Sequence, residues 1–84
     1  MLDVRERGEY SLGHVPGAQW IPLGQLPERL GELPKDGSMA VICAGGHRSS
    51  SAASLLARSG FNDVVNVHEG FDGWEKAGLP IAHS

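Results

Sequence analysis

Residues 38–60 have the sequence SMAVICAGGHRSSSAASLLARSG. The first six, residues 38–43, form an apolar run of strand length, which is typical of a strand buried on both faces of a sheet. Residues 44–47 interrupt that run with two glycines. Residues 48–59 then place apolar side chains at helical spacing, and Gly60 follows as a common helix terminator. The segment therefore predicts a buried strand, a glycine loop and a helix in direct succession.

Short elements lie on either side of this segment. Residues 1–5 and 19–21 predict strands before it, and residues 64–67 predict another buried strand after it. Residues 71–77 predict a last short helix, which the following Gly-Leu-Pro sequence ends.

A leucine pattern between the second and third strands predicts a further helix. The leucines recur at spacings of three, four and three residues, which is one face of a helix, and they are Leu23, Leu26, Leu30 and Leu33. We start this helix near Leu26, because Pro27 is tolerated in a helix only within the first turn.

The order of these elements is strand, strand, helix, strand, helix, strand, helix. Strands separated by helices at this spacing are joined by right-handed crossovers and form a mainly parallel sheet. We therefore predict an α/β fold with four to five strands and helices on both faces. A chain of 84 residues is of single-domain size, and we assign residues 1–84 to one domain.

The composition argues against several classes of function. Seven Lys and Arg residues against ten Asp and Glu residues give a net charge of −3, which disfavours a general nucleic-acid or anionic-membrane surface. No apolar run approaches the ~18 residues of a membrane span, and charge appears at Asp3 and Arg5, too early for a signal peptide. We expect a cytoplasmic protein that binds neither nucleic acid nor membrane.

Cys43 is the only cysteine, so an intramolecular disulfide is excluded and we expect neither a metal nor a cofactor. It ends the predicted buried strand, where open α/β sheets place their ligand sites. The glycines Gly45 and Gly46 allow the loop to curl so that successive N–H groups converge on one point. The following helix N-terminus and Arg48 both favour a thiolate over a thiol. This pattern predicts an activated sulfur nucleophile.

Four blocks of the sequence resemble the rhodanese domain, the sulfurtransferase family. In family order, the blocks are Leu2-Asp3-Val4-Arg5-Glu6, Gly13-His14-Val15-Pro16-Gly17-Ala18 with Ile21-Pro22-Leu23, Cys43-x-x-Gly46-x-Arg48-Ser49, and Glu69-Gly70-Phe71-x-Gly73-Trp74. Together they span nearly the whole chain. The family usually has another strand and helix before the first block, so the resemblance implies a domain that lacks that first strand and helix.

The resemblance implies a rhodanese-type sulfurtransferase, or persulfide carrier. Cys43 would take a sulfane sulfur from thiosulfate or a low-molecular-weight persulfide and pass it to a thiol, to cyanide in an assay, or to a sulfur-carrier protein. The implied anion cradle consists of Ala44, Gly45, Gly46, His47, Arg48 and Ser49. Arg48 would hold the loop or the anionic donor. Ala44 stands where members that prefer thiosulfate often have a basic residue, so the preferred donor stays open.

Two alternatives remain. Cysteine-dependent phosphatases also place a cysteine before an anion cradle closed by arginine, but with five intervening residues, whereas four separate Cys43 from Arg48 here. A non-catalytic interaction or regulatory module, fused to an enzyme domain, is the other alternative. The retained cysteine and glycine loop favour activity, whereas the missing first strand and helix favour the module.

Other notable residues have structural interpretations. We expect Asp3 and Arg5 to make structural ion pairs or hydrogen bonds rather than to act in catalysis, and His14 to fix its loop by hydrogen bonding. We interpret His47 as a solvated loop residue, with contact to the thiolate or a substrate as the alternative. Trp20 and Trp74 are expected to anchor a small core.

Overall fold

The computed structural model describes residues 1–83 and contains one four-stranded sheet. The strands are β1 (Leu2–Asp3), β2 (Gln19–Trp20), β3 (Met39–Ile42) and β4 (Val64–Asn66). The helices are α1 (Arg7–Leu12), α2 (His47–Arg58) and α3 (Gly70–Lys76). The strand order is β2-β1-β3-β4 and every pairing is parallel, which confirms the predicted α/β class.

Side-chain alternation along β3 divides the core between the two faces of the sheet. Val41 and Cys43 join the larger cluster, which contains Leu56 of α2, whereas Ile42 joins a smaller cluster with Phe71 of α3. This is the period of two that a strand imposes. Complete burial of a side chain such as Leu56 contributes roughly 1.5–3 kcal/mol. Helices therefore cover both faces, as predicted.

The helix predicted from Leu26 to Leu33 is wrong. The chain forms two 3₁₀ helices instead, Leu23–Glu28 and Leu30–Glu32. Pro27 lies inside the first of them and has no N–H to donate to an α-helical hydrogen bond. A 3₁₀ helix has three residues per turn, so the leucine spacing still presents one apolar face, and Leu26 and Leu33 are buried.

The segment between β1 and β2 contains the helix α1. α1 begins after Glu6, whose side chain and that of Glu9 form a reciprocal capping box with the backbone. This arrangement satisfies N–H groups at the helix start. Within residues 1–83, no helix combines the length and the apolar character needed to cross a bilayer.

Candidate active site

Cys43 lies immediately after β3, at the edge of the sheet where the carboxyl ends of all four strands meet. The residue is 1% exposed and packs with the larger core cluster. The carboxyl ends of parallel strands are the usual position for ligand sites in open α/β sheets. Cys43 therefore lies where the strand pattern predicted it, at the carboxyl end of a buried strand.

The loop after Cys43 turns two backbone amides toward its sulfur. The N–H of Gly46 donates to Cys43 Sγ at 3.1 Å, and the N–H of Ser49 donates to the same atom at 3.3 Å. Gly46 precedes α2 with a φ of 97°, a left-handed conformation that favours glycine. The loop therefore curls back over the sulfur and forms a cradle suited to an anion.

These contacts favour the ionised form of Cys43. Burial opposes ionisation, but hydrogen bonds to the sulfur, among them those from the backbone N–H groups of Ser49, Gly46 and Arg48, prevail. The pKa of Cys43 is accordingly lowered from its ordinary value of 9.0. The N-terminus of α2 adds the positive end of its dipole. The sulfur thus has the environment of a nucleophilic cysteine.

Asn66, the last residue of β4, belongs to the same cluster and was not predicted. Ser49 Oγ accepts a hydrogen bond from Cys43 Sγ at 3.3 Å and donates one to Asn66 Oδ1. Asn66 Nδ2 in turn donates to the carbonyl oxygen of Gly46 at 3.3 Å. Parallel pairing of β3 with β4 brings this side chain to the edge where Cys43 lies. A polar residue ending a strand was the available signal, but it does not identify the partner.

Arg48, which was expected to hold the loop or an anionic donor, forms an ion pair with Glu9, 39 positions away in the sequence. Its two terminal nitrogens donate to the two carboxylate oxygens of Glu9 at 2.6 and 2.8 Å. This fork ties α1 to the start of α2. The hydrogen bond from Arg48 lowers the pKa of Glu9 to about 2, from an ordinary value of 4.5. The ion pair is therefore formed at neutral pH and is lost only as the pH falls toward about 2.

The start of α3 holds the loop from the other side. The N–H of Phe71 donates to the Cys43 carbonyl at 2.7 Å, and the N–H of Asp72 donates to the Ala44 carbonyl at 3.0 Å. A Cβ on Gly70 would lie 2.2 Å from the Ala44 oxygen, so the approach is too close for a side chain. The backbone at Cys43 is thus fixed by α2 and α3 together.

The remaining predicted cradle residues lie on the outside of the loop. Gly45 and His47 are exposed, and Ala44 is half-buried. The exposure of His47 agrees with its interpretation as a solvated residue. Among residues 1–83, no three His, Cys, Asp or Glu side chains are grouped so that they could hold a metal ion.

A groove of about 260 Å³ adjoins the loop at Ala44. Three carboxylate side chains line it, from Asp72, from Glu75 and from Glu9, whose charge is paired with Arg48. Leu12, also on its wall, is 82% exposed. Arg5 lines it too, but its charge is already paired with Asp3. The surface next to the candidate nucleophile is therefore predominantly acidic.

The structural interpretations of Asp3, Arg5 and His14 are confirmed. Asp3 and Arg5 are 0% and 3% exposed, and Arg5 donates to both carboxylate oxygens of Asp3 at 2.8 to 3.1 Å. His14 Nδ1 lies 2.9 Å from the Tyr10 carbonyl oxygen, and the ring stacks on that of Tyr10. These contacts satisfy the buried polar groups within the fold.

The two tryptophans are half-buried, and of the two only Trp74 packs against a core cluster. Trp20 Nε1 donates to the Arg5 carbonyl at 2.8 Å, and its ring stacks on Tyr10. Trp74 packs against the smaller cluster while its Nε1 donates to the Pro80 carbonyl at 2.7 Å. Each ring therefore combines apolar packing with one satisfied N–H group.

Comparison with protein families gives one match over most of the chain. The model of the rhodanese-like domain family matches residues 1–77. The solved structure of a rhodanese-related protein from Thermoplasma volcanium superimposes with a TM-score of 0.93 at 37% identity. That superposition covers 99% of this chain and 82% of the other.

Relatives of this chain include proteins whose names refer to sulfur. A Bacillus subtilis protein, YrkF, described by its name as a sulfur carrier, is 42% identical over 88% of this chain. A sulfurtransferase of Allochromatium vinosum is 35% identical over 96% of this chain. The chain spans 40% of the length of the first relative and 76% of the second.

Proposed function

This chain belongs to the rhodanese-like domain family, and from that premise we propose that it is a sulfurtransferase that carries sulfur as a persulfide on Cys43. The observation that carries the proposal is the sulfur atom of Cys43, which accepts hydrogen bonds from the N–H groups of Gly46 and Ser49 at the start of α2. Such donors stabilise a negative charge on sulfur and do not need to move when it forms.

The transfer has two steps, and the Cys43 sulfur is a thiolate at the start of the first step and at the end of the second. The Cys43 thiolate attacks the sulfane sulfur of a donor, an S–S bond forms at Cys43, and the donor leaves with the electron pair of its broken bond as a thiolate or as sulfite. An acceptor thiolate or cyanide then attacks the outer sulfur, and the Cys43 thiolate is released with the pair of that S–S bond. The backbone amides suit both thiolate states.

The charges around the loop favour a persulfide over thiosulfate as the donor. Arg48 is occupied by Glu9, and Ala44 supplies no positive charge. The carboxylates of Asp72 and Glu75 face the adjoining groove and would repel a dianion. We therefore propose a low-molecular-weight persulfide as the better donor, and a thiol or a sulfur-carrier protein as the acceptor.

The proposal is tested by the mass of the intact protein after incubation with cysteine persulfide and, separately, with thiosulfate. We expect a gain of one sulfur that is removed by added thiol, with faster loading from the persulfide. Protein alkylated beforehand at Cys43 is the control and should gain nothing. Folded protein that gains no sulfur from either donor would contradict the proposal and favour the non-catalytic interaction module.

Glu9 offers a separate test of the donor preference. In Glu9→Gln the guanidinium of Arg48 loses its anionic partner, and we expect kcat/KM for thiosulfate to rise about fivefold, equivalent to about 1 kcal/mol for one exposed charge pair. The value of kcat/KM for the persulfide donor should change less than the value for thiosulfate. Unchanged thiosulfate kinetics in a variant that still uses the persulfide would contradict the assigned role of these charges.

The chain provides a matched control for that substitution. Glu32 forms a similar forked ion pair with Arg29 at 2.7 and 2.8 Å, on the 3₁₀ segment. Glu32→Gln removes the same charge without touching the groove, and its thiosulfate kinetics should equal those of the unmodified protein.

A further inference from the structure

The acceptor and donor atoms around Asn66 fix the direction of a hydrogen-bond chain. The Gly46 carbonyl can only accept, so the side of Asn66 that faces it at 3.3 Å must be its N–H₂ group. The Oδ1 atom of Asn66 therefore faces Ser49, and it too can only accept. The single hydroxyl proton of Ser49 must point toward Asn66.

Because the hydroxyl proton of Ser49 points toward Asn66, the Ser49 oxygen faces the sulfur without a proton. With its proton directed to Asn66, Ser49 Oγ offers only lone pairs to Cys43 Sγ at 3.3 Å. The S–H group of Cys43 can donate to those lone pairs, whereas a thiolate would be repelled by them. The chain as it stands, from Cys43 to Ser49 to Asn66 to Gly46, thus fits the protonated sulfur.

The backbone amides of the same loop have the opposite preference. The N–H groups of Gly46 and Ser49 favour the thiolate, and the Ser49 hydroxyl can join them only by turning away from Asn66. Ser49 and Cys43 are both at most 1% exposed, so bulk water does not readily replace the lost bond. Asn66 and the Cys43 thiolate therefore compete for one proton.

We infer that Asn66 is a positioning residue that holds the Ser49 hydroxyl away from Cys43 and so limits how much of the sulfur is ionised at a given pH. Ionisation then requires the hydroxyl to rotate from Asn66 to the sulfur, while the thiol proton passes to the solvent. The inference deepens the proposed function, since it treats Cys43 as the nucleophile, but the ionisation can be measured without any sulfur transfer.

The test must leave unchanged the titratable and charged groups on the elements around the loop. These groups are Asp3 of β1, Arg5 after it, Glu9 of α1, His47 and Arg48 of α2, His68 after β4, and Glu69 and Asp72 at the start of α3. Substitutions at Ser49 and Asn66 remove none of these charges. A change in the pKa of Cys43 can then be attributed to the hydrogen-bond chain.

The test is the pH dependence of Cys43 alkylation by iodoacetamide, which reports a single thiol because the chain has only one cysteine. In Asn66→Leu the Ser49 hydroxyl is free to donate to the thiolate. We expect the pKa of Cys43 to fall by about one unit, which is about a tenfold larger thiolate fraction at pH values below it. Asn62→Leu, an exposed turn residue, is the control and should leave the profile unchanged.

A double-substitution cycle separates this effect from loosening of the loop. Ser49→Ala removes the hydroxyl for which Asn66 and the sulfur compete, so adding Asn66→Leu to it should produce no fall in the pKa of Cys43. An equal fall in both backgrounds, or none in either, would overturn the inference. If Asn66→Leu does not fold, Asn66→Ala takes its place in the cycle: it also removes the acceptor for Ser49 without adding charge, so the pKa must fall when Ser49 is present and must not fall in Ser49→Ala.

Discussion

Replacement of Cys43 by serine should abolish persulfide formation and reduce sulfur transfer by at least about 10³-fold, the order expected when a covalent nucleophile is removed. A serine hydroxyl is not ionised near neutral pH, and two backbone amides are too weak to change that. Transfer from cysteine persulfide to a thiol acceptor, followed with the intact mass of the protein, measures the loss directly.

The same substitution should leave the fold in place. A serine oxygen can still accept from the Gly46 and Ser49 amides, so the free energy of unfolding should change by less than about 2 kcal/mol. Denaturant unfolding of Cys43→Ser beside Cys43→Ala measures this, and both variants should be inactive. Sulfur transfer retained by either folded variant would refute the assignment of Cys43 as the sulfur carrier.

Gly46→Ala should lower the free energy of unfolding by about 2–4 kcal/mol and remove most of the activity. A Cβ at Gly46 would lie 2.2 Å from the carbonyl oxygen of His68, and the φ of 97° is itself strained for any residue with a side chain. The collision is with backbone, so relief requires the loop to move. That movement would withdraw the Gly46 N–H from the sulfur.

Gly45→Ala is the matched control for this prediction. A Cβ at Gly45 would meet no atom within 4 Å, and the residue does not have a positive φ. Unfolding by denaturant and persulfide loading should therefore be nearly unchanged in Gly45→Ala. If Gly46→Ala were equally mild, the close approach of the loop to His68 would not be essential to the cradle.

The family resemblance noticed in the sequence is confirmed over residues 1–77. The four strands and the helices α2 and α3 were likewise predictable, because each depends on patterns within a few neighbouring residues. The apolar run that became β3 and the helical spacing that became α2 are examples. The 3₁₀ helices were missed because a leucine spacing near three fits both helix types, and Pro27, which has no N–H to donate to an α-helical hydrogen bond, lies inside the first of them.

The catalytic role of Cys43 stays a prediction that the sequence and its family support, and the tests above address it. Only some of the residues that surround Cys43 could be predicted from the sequence. The glycines and Ser49 lie within six residues of it, so their approach to the sulfur follows from a local turn. Neither the direction of the Ser49 hydroxyl nor the protonation state of the sulfur follows from that turn.

The sequence by itself thus determined the strand, the loop, the helix and the place of the sulfur between them, since these arise from local backbone preferences and side-chain periodicity. Tertiary structure decided which partners the polar groups took. Glu9 reaches Arg48 across 39 residues, and Asn66 reaches Ser49 across 17. Such pairs form because parallel strands bring distant chain segments to one edge of the sheet, and the buried Ser49 hydroxyl must find a partner there.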